Sequence, residues 1–188
     1  GSLYRKASFL EGCLGQCSMA EHRDLHEFPH VRKGKGSAPF DDEGVTTHAR
    51  RVVDGGVVQG YFLSSYSARK LGMKTTGHAG GSQNLIMTSR HTQAGDTLDV
   101  MLKKLGRGLF VTELMGQGVN YVTGDYSRGV TGFWVEDGQI AYPVHEVTIA
   151  GSLPTMFKHI VAVGADVYTQ GSKSMGSVLV EGMKLAGS

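Results

Sequence analysis

The sequence predicts an α+β fold, a strand-rich domain with a largely antiparallel mixed sheet and three or four helices. Two Asp-Gly pairs, Asp54-Gly55 and Asp137-Gly138, separate runs of apolar residues, and such pairs supply the positive φ of tight hairpin turns. Glycine accounts for 28 of 188 residues and proline for 4, among abundant branched and aromatic residues, which indicates turns and bulges in a folded sheet. Helix and strand patterns do not alternate regularly, so a parallel βαβ fold is not favoured.

The first part of the chain is predicted to contain one helix, one strand and one loop. Apolar residues recur at intervals of three and four over residues 3–14, which predicts a helix that ends at Gly15. Residues 22–28 are typical of a strand, and the proline that follows ends it. Residues 34–44 combine Gly, Pro and acidic residues and therefore predict a loop.

The middle of the chain gives the clearest local pattern. Residues 45–53 and 57–63 predict a β-hairpin, and Ser64 or Ser65 can cap a short helix that runs to Leu71. The next predicted elements are a glycine-rich connection at 75–82, a strand at 84–88 and a helix at 97–105 capped by Asp96.

The last part of the chain predicts a second sheet region. Residues 108–115 and 129–135 are typical of strands, and a hairpin turn leads from the second of these into a strand at 139–149. A helix is predicted over 153–163, with Ser152 as its cap and a proline in its first turn, where a missing N–H costs little. A last strand is predicted at 178–185, which brings the total to roughly eight strands.

Composition narrows the classes of function. The chain has 19 Lys and Arg against 17 Asp and Glu without a basic stripe, so a direct nucleic-acid partner is not expected. No run approaches 18 apolar residues and no signal-peptide pattern opens the chain, so we expect no membrane span and a cytoplasmic location, with Cys13 and Cys17 reduced. Residues 1–2 are expected to be an expression remnant, and residues 3–188 one domain.

A possible metal motif lies at His26-Glu27-Phe28-Pro29-His30. As letters it matches H-E-x-x-H, in which a helix brings both imidazoles to one Zn²⁺. The proline disfavours a helix, and in a strand His26 and His30 would lie roughly 13 Å apart at about 3.3 Å per residue. Polar residues on an edge strand are the favoured interpretation, and a metal-dependent hydrolase that uses both histidines is the alternative.

Two glycine-rich segments are candidate contact loops. His78 lies in the first, which runs from a helix towards a strand and so suits a backbone that packs against an extended peptide better than a phosphate site. The second lies between two predicted strands. Its candidate peptide- or partner-contact residues are Gly116, Gln117, Gly118, Asn120, Asp125, Tyr126, Ser127 and Arg128.

The polar residues of the second loop admit two interpretations. Asn, Asp and Ser commonly satisfy the backbone of a structured loop, which is the favoured interpretation. The alternative is a serine hydrolase in which Asp125, Ser127 and His145 form a triad. The G-x-S-x-G elbow that exposes a serine nucleophile is absent.

Several stretches together resemble the PmbA, or TldE, branch of the TldD/PmbA family at its C-terminal half. Within residues 36–44 the chain reads Gly-Ser-Ala-Pro-Phe-Asp-Asp-Glu-Gly, and within 112–120 it reads Thr-Glu-Leu-Met-Gly-Gln-Gly-Val-Asn. Further stretches that carry the resemblance lie, in family order, at 122–129, 132–136, 142–151 and 176–179. Together they extend over nearly the whole chain.

The resemblance implies a part in a larger assembly. Family members are about twice this length and are associated with a cytoplasmic metallopeptidase built from a TldD and a PmbA subunit, with roles in peptide maturation, proteolysis and, through older naming, DNA gyrase modulation. The present chain is similar to the C-terminal β-rich domain alone, so the N-terminal domain is expected to be missing.

The resemblance also implies where zinc is held. In the TldD branch the ligands are two histidines of an H-E-x-x-x-H helix and a C-terminal cysteine. This chain has no such helix motif and reads Ser174-Met175-Gly176-Ser177 where that cysteine would align. We therefore expect no catalytic residue and no cofactor in this chain, zinc only in a TldD-like partner subunit, and a role in assembly and in enclosing an unfolded peptide.

Overall fold

The computed structural model of the protein describes residues 2–187. Within them a short 3₁₀ turn, Leu3–Arg5, precedes the α-helices α1 (Ser65–Lys70), α2 (Leu98–Leu105) and α3 (Leu153–Lys158). The strands are β1 (Arg23–Phe28), β2 (Arg50–Asp54), β3 (Val57–Val58), β4 (Asn84–Ser89), β5 (Gly108–Met115), β6 (Asp125–Glu136), β7 (Gln139–Ser152), β8 (Ile160–Val163), β9 (Tyr168–Gln170), β10 (Lys173–Met175), β11 (Val178–Val180) and β12 (Lys184–Ala186). None of the helices in this range has the length and apolarity that a bilayer crossing requires.

The strands form three sheets, and the predicted α+β class is confirmed. The first sheet has the order β3-β2-β1-β4-β10-β9, the second pairs β11 with β8, and the third has the order β12-β7-β6-β5. Every pairing is antiparallel except that of β10 with β4. There are twelve strands in residues 2–187, more than the eight expected, because several regions predicted as loop or as single elements hold short strands.

Both predicted hairpins form, and their turns follow the local sequence. Asp137 and Gly138 both have positive φ, 50° and 72°, as a two-residue turn that matches the twist of the strands requires. In the first hairpin the positive φ values belong to Gly55 and Gly56, so Asp54 still lies in the strand. This hairpin is much shorter than residues 45–63, because β2 pairs with β1 along most of its length and with β3 at two positions only.

The third sheet carries apolar residues on both faces. Val130 and Val135 of β6 lie on opposite faces, and each is almost completely buried. Gly132 lies between them because a Cβ there would overlap the carbonyl of Phe110 on the neighbouring strand. The long β6–β7 hairpin is therefore covered from two sides instead of having one solvated face.

The predicted N-terminal helix over residues 3–14 is wrong. Only Leu3–Arg5 is helical, and Lys6 directly after it has a left-handed φ of 53°. Gly12 and Gly15 also have positive φ, so the segment folds as consecutive turns. Of the spaced apolar residues, Leu3, Ala7 and Leu10 are half-buried and Leu14 is exposed. The two cysteines of this region, Cys13 and Cys17, are free thiols outside any helix.

Two C-terminal predictions are also corrected. The helix predicted over 153–163 ends at Lys158, because the β-branched residues of β8 pair with β11. The single strand predicted at 178–185 is broken at Gly182, which has a φ of 75°, so that β11 joins β8 whereas β12 joins β7. In both cases partners distant in sequence override the local helix or strand pattern.

Helix capping agrees with the sequence at one position and differs at another. Ser64 caps α1, since its side chain accepts a hydrogen bond from the backbone N–H of Ser67. Helix α2 begins at Leu98 with Thr97 as its N-cap, one residue later than predicted. The carboxylate of Asp96 instead accepts hydrogen bonds from Gln93 N–H and from Lys104 Nζ.

Asp41 ties two glycine-rich loops together. Its Oδ1 accepts the backbone N–H groups of Glu43 and Val45, each at 2.9 Å, and its Oδ2 accepts that of Ala79 at 2.9 Å. Burial alone would raise the pKa of the Asp41 carboxyl, but these three donors outweigh it and hold the pKa below its usual value. The loop at 36–44 is thereby held against the connection at 75–82.

We expect Asp41→Asn to lower the free energy of unfolding by about 1–2 kcal/mol, because the amide keeps the two bonds at Oδ1 and loses the bond at Oδ2. Urea denaturation at neutral pH measures the effect, with Asp42→Asn, an adjacent exposed carboxylate, as the control. Since the folded pKa is lowered, the contribution is present above the ordinary carboxyl pKa and is lost as the pH falls below it. If Asp41→Asn remained less stable than the parent chain by the same amount at acid pH, this assignment would be contradicted.

Candidate functional site

The loop between β5 and β6, residues 116–124, forms a structured extension of the hairpin, which we call the tip loop. Ser127 N–H donates to Gly118 O at 2.7 Å, and Asn120 N–H donates to Asp125 O at 2.8 Å. A Cβ at Gly118 would overlap Ser127 O, so the two backbones approach as closely as glycine allows. The tip loop is therefore held by backbone pairing.

The polar side chains of the predicted contact loop satisfy their own backbone. Asn120 Oδ1 accepts Val122 N–H at 3.0 Å, and Thr123 Oγ1 donates to Asp125 Oδ2 at 2.6 Å. Arg128 Nε donates to the carbonyl oxygen of Met115 at 3.0 Å, across the base of the loop. These contacts are those of a structured loop, the interpretation favoured from the sequence.

Two exposed apolar residues lie at the end of the tip loop. Tyr121 is 68% and Val122 54% exposed. The carbonyl of Tyr121 accepts Phe9 N–H at 2.9 Å, so the backbone that presents both side chains is anchored to the domain. The residues predicted from the sequence as contacts are the glycines and polar residues around this pair and not the pair itself. The feature of the sequence that could have indicated them is the occurrence of two neighbouring apolar residues inside a glycine-rich loop.

Three other predicted contact residues lie along the same hairpin. Gly116 has a φ of 71° where the chain leaves β5, and Gln117 follows it as an exposed residue. Tyr126 is half-buried at the start of β6, and burial raises the pKa of its phenol, which the nearby Arg128 partly opposes. The predicted residues of this region thus form one continuous segment of the hairpin, and Tyr126 lines the apolar cavity described below.

The alternative triad of Asp125, Ser127 and His145 is not assembled. Ser127 pairs with Ala150 on β7, five residues beyond His145. At about 3.3 Å per residue this separation is on the order of 15 Å, far beyond hydrogen-bond reach. The serine-hydrolase alternative is therefore corrected, because the register of β6 and β7 keeps the nucleophile candidate and the base candidate apart.

His26 and His30 have separate surroundings. The ring of His26 stacks on that of Phe28, with centroids 5.9 Å apart, and Nε2 of His30 lies 3.2 Å from Thr47 Oγ1. Within residues 2–187 no three His, Cys, Asp or Glu side chains are grouped as metal ligands. The residues present in this range do not fit a zinc ion, which ordinarily takes three or four protein ligands, and we derive no catalytic step through one.

His78 lies inside the domain, beside the buried carboxylate of Glu27. Its Nε2 donates to Glu27 Oε2 at 2.8 Å, and its Nδ1 lies 2.8 Å from Thr76 Oγ1. The residue is only 6% exposed. Since both ring nitrogens are occupied and the ring is enclosed, His78 is not presented to a peptide at the surface of this domain.

Glu27 is the centre of this polar cluster. Arg50 Nε donates to its Oε2 at 2.9 Å, and Gln83 N–H donates to its Oε1 at 2.8 Å. Burial would raise the pKa of the fully buried Glu27 carboxyl, but the bonds from His78, Arg50 and Gln83 outweigh burial and lower it. The cluster holds β1, β2 and the connection before β4 in register, and only Arg50 among its side chains reaches solvent in part.

An apolar cavity of about 890 Å³ lies on one face of the third sheet. Helix α2 forms one wall and residues 177–183 form the opposite wall. The floor is made by residues of β5, β6 and β7 that share this face, including Leu109, Val111, Leu114, Trp134 and Ile149. Its volume is within the range of sites that enclose small molecules or peptide side chains.

Comparisons with known proteins agree with the resemblance found in the sequence. The family described as "PmbA/TldA metallopeptidase C-terminal domain" matches residues 1–187. A protein named metalloprotease PmbA from Escherichia coli O157:H7 is 51% identical over 187 residues, which is 100% of this chain and 41% of that protein. A metalloprotease PmbA homolog from Haemophilus influenzae is 48% identical with the same coverage. The chain thus spans about two fifths of the length of these relatives.

Solved structures show the same fold. The crystal structure of a putative modulator of DNA gyrase from Bacteroides thetaiotaomicron has a TM-score of 0.90 and 33% identity, over 99% of this chain and 41% of the other. TldE from Thermococcus kodakarensis has a TM-score of 0.81 at 22% identity, over 99% of this chain and 44% of the other, and so shows the fold alone. The chain belongs to the PmbA/TldD metallopeptidase family, in its PmbA branch, and corresponds to the C-terminal domain of that family.

Proposed function

We propose that this chain serves a TldD/TldE-type metallopeptidase by contact. It pairs with a TldD-like subunit and helps to enclose an unfolded peptide, while the catalytic zinc is held by the partner subunit. The observation that carries the proposal is the tip loop, a backbone-anchored hairpin end that presents Tyr121 and Val122 to solvent. Tyrosine is one of the residues enriched among the anchors of protein interfaces, and apolar neighbours such as Val122 help to exclude water around them.

The relatives support a two-subunit system. One structural neighbour is named TldE, and more distant relatives, such as the 24% identical protein from Haemophilus influenzae, are named metalloprotease TldD homologs. The same organism has a PmbA homolog that is 48% identical to this chain. Two related chains in one organism suit a heteromeric assembly of two specialised subunits.

The donor chemistry of this domain supports zinc in the partner. His78 donates to a buried carboxylate, and His26 and His30 contact different groups. Each histidine thus already has a structural neighbour, and the two free cysteines, Cys13 and Cys17, lie in the N-terminal turns. The contribution of this domain to peptide cleavage is then to bind and to position.

We expect the double variant Tyr121→Ser/Val122→Ser to weaken assembly with a TldD-like subunit at least tenfold, because each lost anchor of an interface typically contributes about 2 kcal/mol. Co-purification and titration of the two subunits measure the effect. The matched control is Val167→Ser/Tyr168→Ser, an equally exposed Val and Tyr pair on another surface. Equal affinities of the two double variants would contradict the role of the tip loop.

Zinc analysis tests the second part of the proposal. We expect the purified chain to hold no stoichiometric zinc after dialysis, and its assembly with the partner to be unchanged by His26→Ala. Zinc bound at one ion per chain and lost in His26→Ala would instead favour the metal-dependent hydrolase alternative. Because the readout is metal content, it does not depend on knowing the peptide substrate.

A further inference from the structure

We propose that a basic surface beside α1 binds an acidic peptide segment through the carboxylates of its side chains. We call this surface the basic patch, and its cations, which surround the paired rings of Tyr4 and Tyr66, are Lys6, Arg69, Lys70 and Lys74. The inference deepens the proposed function, since it names the charge class of a peptide that this chain binds. It rests on that function only for the ligand being a peptide.

The positive charge of the basic patch is not compensated by neighbouring acids. No Asp or Glu occurs between Asp54 and Asp96, nor before Glu11. All four cations of the patch are exposed, and none takes part in an ion pair within residues 2–187. Glu43 also contacts α1, but its carboxylate accepts the N–H of Ser65 at the first residue of the helix. The patch therefore attracts anionic groups.

Two segments that are distant in the chain form the patch. Tyr66, Arg69 and Lys70 are spaced by three and four residues, so they share one face of α1. The 3₁₀ turn that contains Tyr4 contacts α1, and the two tyrosine rings meet edge to face with centroids 5.5 Å apart. Lys6 directly follows this turn. Because residue 6 and residues 69–74 are more than sixty positions apart, the cations do not form one stripe in the sequence.

The paired rings position cations of this surface. Lys70 Nζ lies 5.7 Å from the centroid of the Tyr66 ring, and the guanidinium carbon of Arg5 lies 5.6 Å from that of Tyr4. A cation over an aromatic ring is attracted by it and keeps its charge. Fixing a lysine side chain on binding ordinarily costs rotamer entropy, so an ammonium that is already positioned binds an anion at lower cost.

An acidic peptide fits this arrangement better than a single-stranded nucleic acid does. Sites for single-stranded nucleic acids depend on aromatic rings on which the bases stack. Here each tyrosine ring already contacts the other tyrosine and a cation. Carboxylates need only the cations, with which they form charge-assisted hydrogen bonds, and the planar guanidinium of Arg69 can bind a carboxylate with two such bonds.

Binding of a short oligoglutamate peptide, acetylated and amidated at its ends, to this chain tests the inference. We expect Lys70→Gln/Lys74→Gln to weaken binding at least tenfold, because two of the four cations lose their charge. The matched control is Lys33→Gln/Lys35→Gln, a pair of exposed lysines outside the patch, which is expected to leave binding unchanged. Equal affinities of the two double variants would overturn the proposal, as would the absence of binding to the parent chain.

Other probes and the salt concentration identify the chemistry of binding. Oligoglutamine of the same length is expected not to bind, and an oligothymidylate of the same formal charge is expected to bind more weakly than oligoglutamate. Tighter binding of the oligothymidylate would overturn the proposal in favour of a nucleic-acid ligand. Raising the salt from about 0.01 M to about 1 M, which shortens the Debye length from about 30 Å to about 3 Å, is expected to abolish binding. Binding that salt does not weaken would also overturn the proposal.

A neutral variant tests the role of the rings. Tyr66→Ser changes no charge, and we expect it to weaken oligoglutamate binding at least twofold, because Lys70 loses the ring that positions it. Tyr121→Ser, at the exposed tyrosine of the tip loop, is the control and is expected to leave binding unchanged. Equal affinities of these two variants would contradict the positioning of Lys70 by the ring. These measurements need no partner subunit, so their failure is distinguishable from a failure of the assembly test.

Discussion

Replacing Glu27 by Gln is expected to lower the free energy of unfolding by about 3–5 kcal/mol, the usual effect of removing one partner from a buried ion pair. The amide can still accept Gln83 N–H through its oxygen, but its NH₂ group would face the N–H donors of His78 and Arg50. The buried donor of His78 and the partly exposed donor of Arg50 would then lose their acceptor. The free energy of unfolding of a domain of this size is typically about 5–15 kcal/mol, so the substitution would remove a large part of the stability.

Urea denaturation followed by circular dichroism measures this effect, with Glu11→Gln at an exposed carboxylate as the control. Arg50→Gln removes one of the bonds to Glu27 from a partly exposed position and should cost less than Glu27→Gln. Since the folded pKa of Glu27 is lowered, its contribution is present above the ordinary carboxyl pKa and declines as the pH falls below it. If Glu27→Gln lowered the free energy of unfolding by less than about 1 kcal/mol, the cluster would not be cooperative.

Much of the fold followed from local chemistry in the sequence. The β6–β7 turn needed two residues with positive φ, and Asp137-Gly138 is the pair that supplies them at low cost. Ser64 was recognisable as a cap because it precedes a short helix that Gly72 ends. The errors arose where a distant strand decided the outcome. Residues 160–163 were included in the predicted helix, although three of the four are β-branched, and they form a strand because β11 lies beside them.

The candidate site was less accessible to sequence reasoning. The segment 116–128 stood out through its glycines and polar residues, and its position on one long hairpin agrees with that emphasis. Nothing local marks Glu27 as the centre of a buried cluster, because His78 and Arg50 reach it from 51 and 23 residues away.

Within residues 2–187, Arg23 is a buried cation whose guanidinium has no hydrogen-bond partner. It lies on β1 on the same face as Glu27, and its side chain is fully buried. None of its three guanidinium nitrogens has a hydrogen-bond partner within residues 2–187. Burial lowers the pKa of Arg23 to about 10, so the group is still charged at neutral pH. At about 1.4 kcal/mol for each tenfold loss of proton affinity, this lowering corresponds to about 3 kcal/mol of destabilisation.

Arg23→Met is therefore expected to raise the free energy of unfolding by about 2–3 kcal/mol, since an apolar side chain of similar length fills the same space without a buried charge. Thermal and urea denaturation measure the gain, with Arg51→Met at an exposed arginine of β2 as the control. The folded pKa lies below the unfolded one, so the penalty is complete below about pH 10 and is relieved as the pH rises through that value. The difference in free energy of unfolding between Arg23→Met and the parent chain should therefore become smaller in alkaline solution. A destabilised variant would mean that the guanidinium is satisfied in solution by groups such as internal water, and that its charge is a stabilising part of the core.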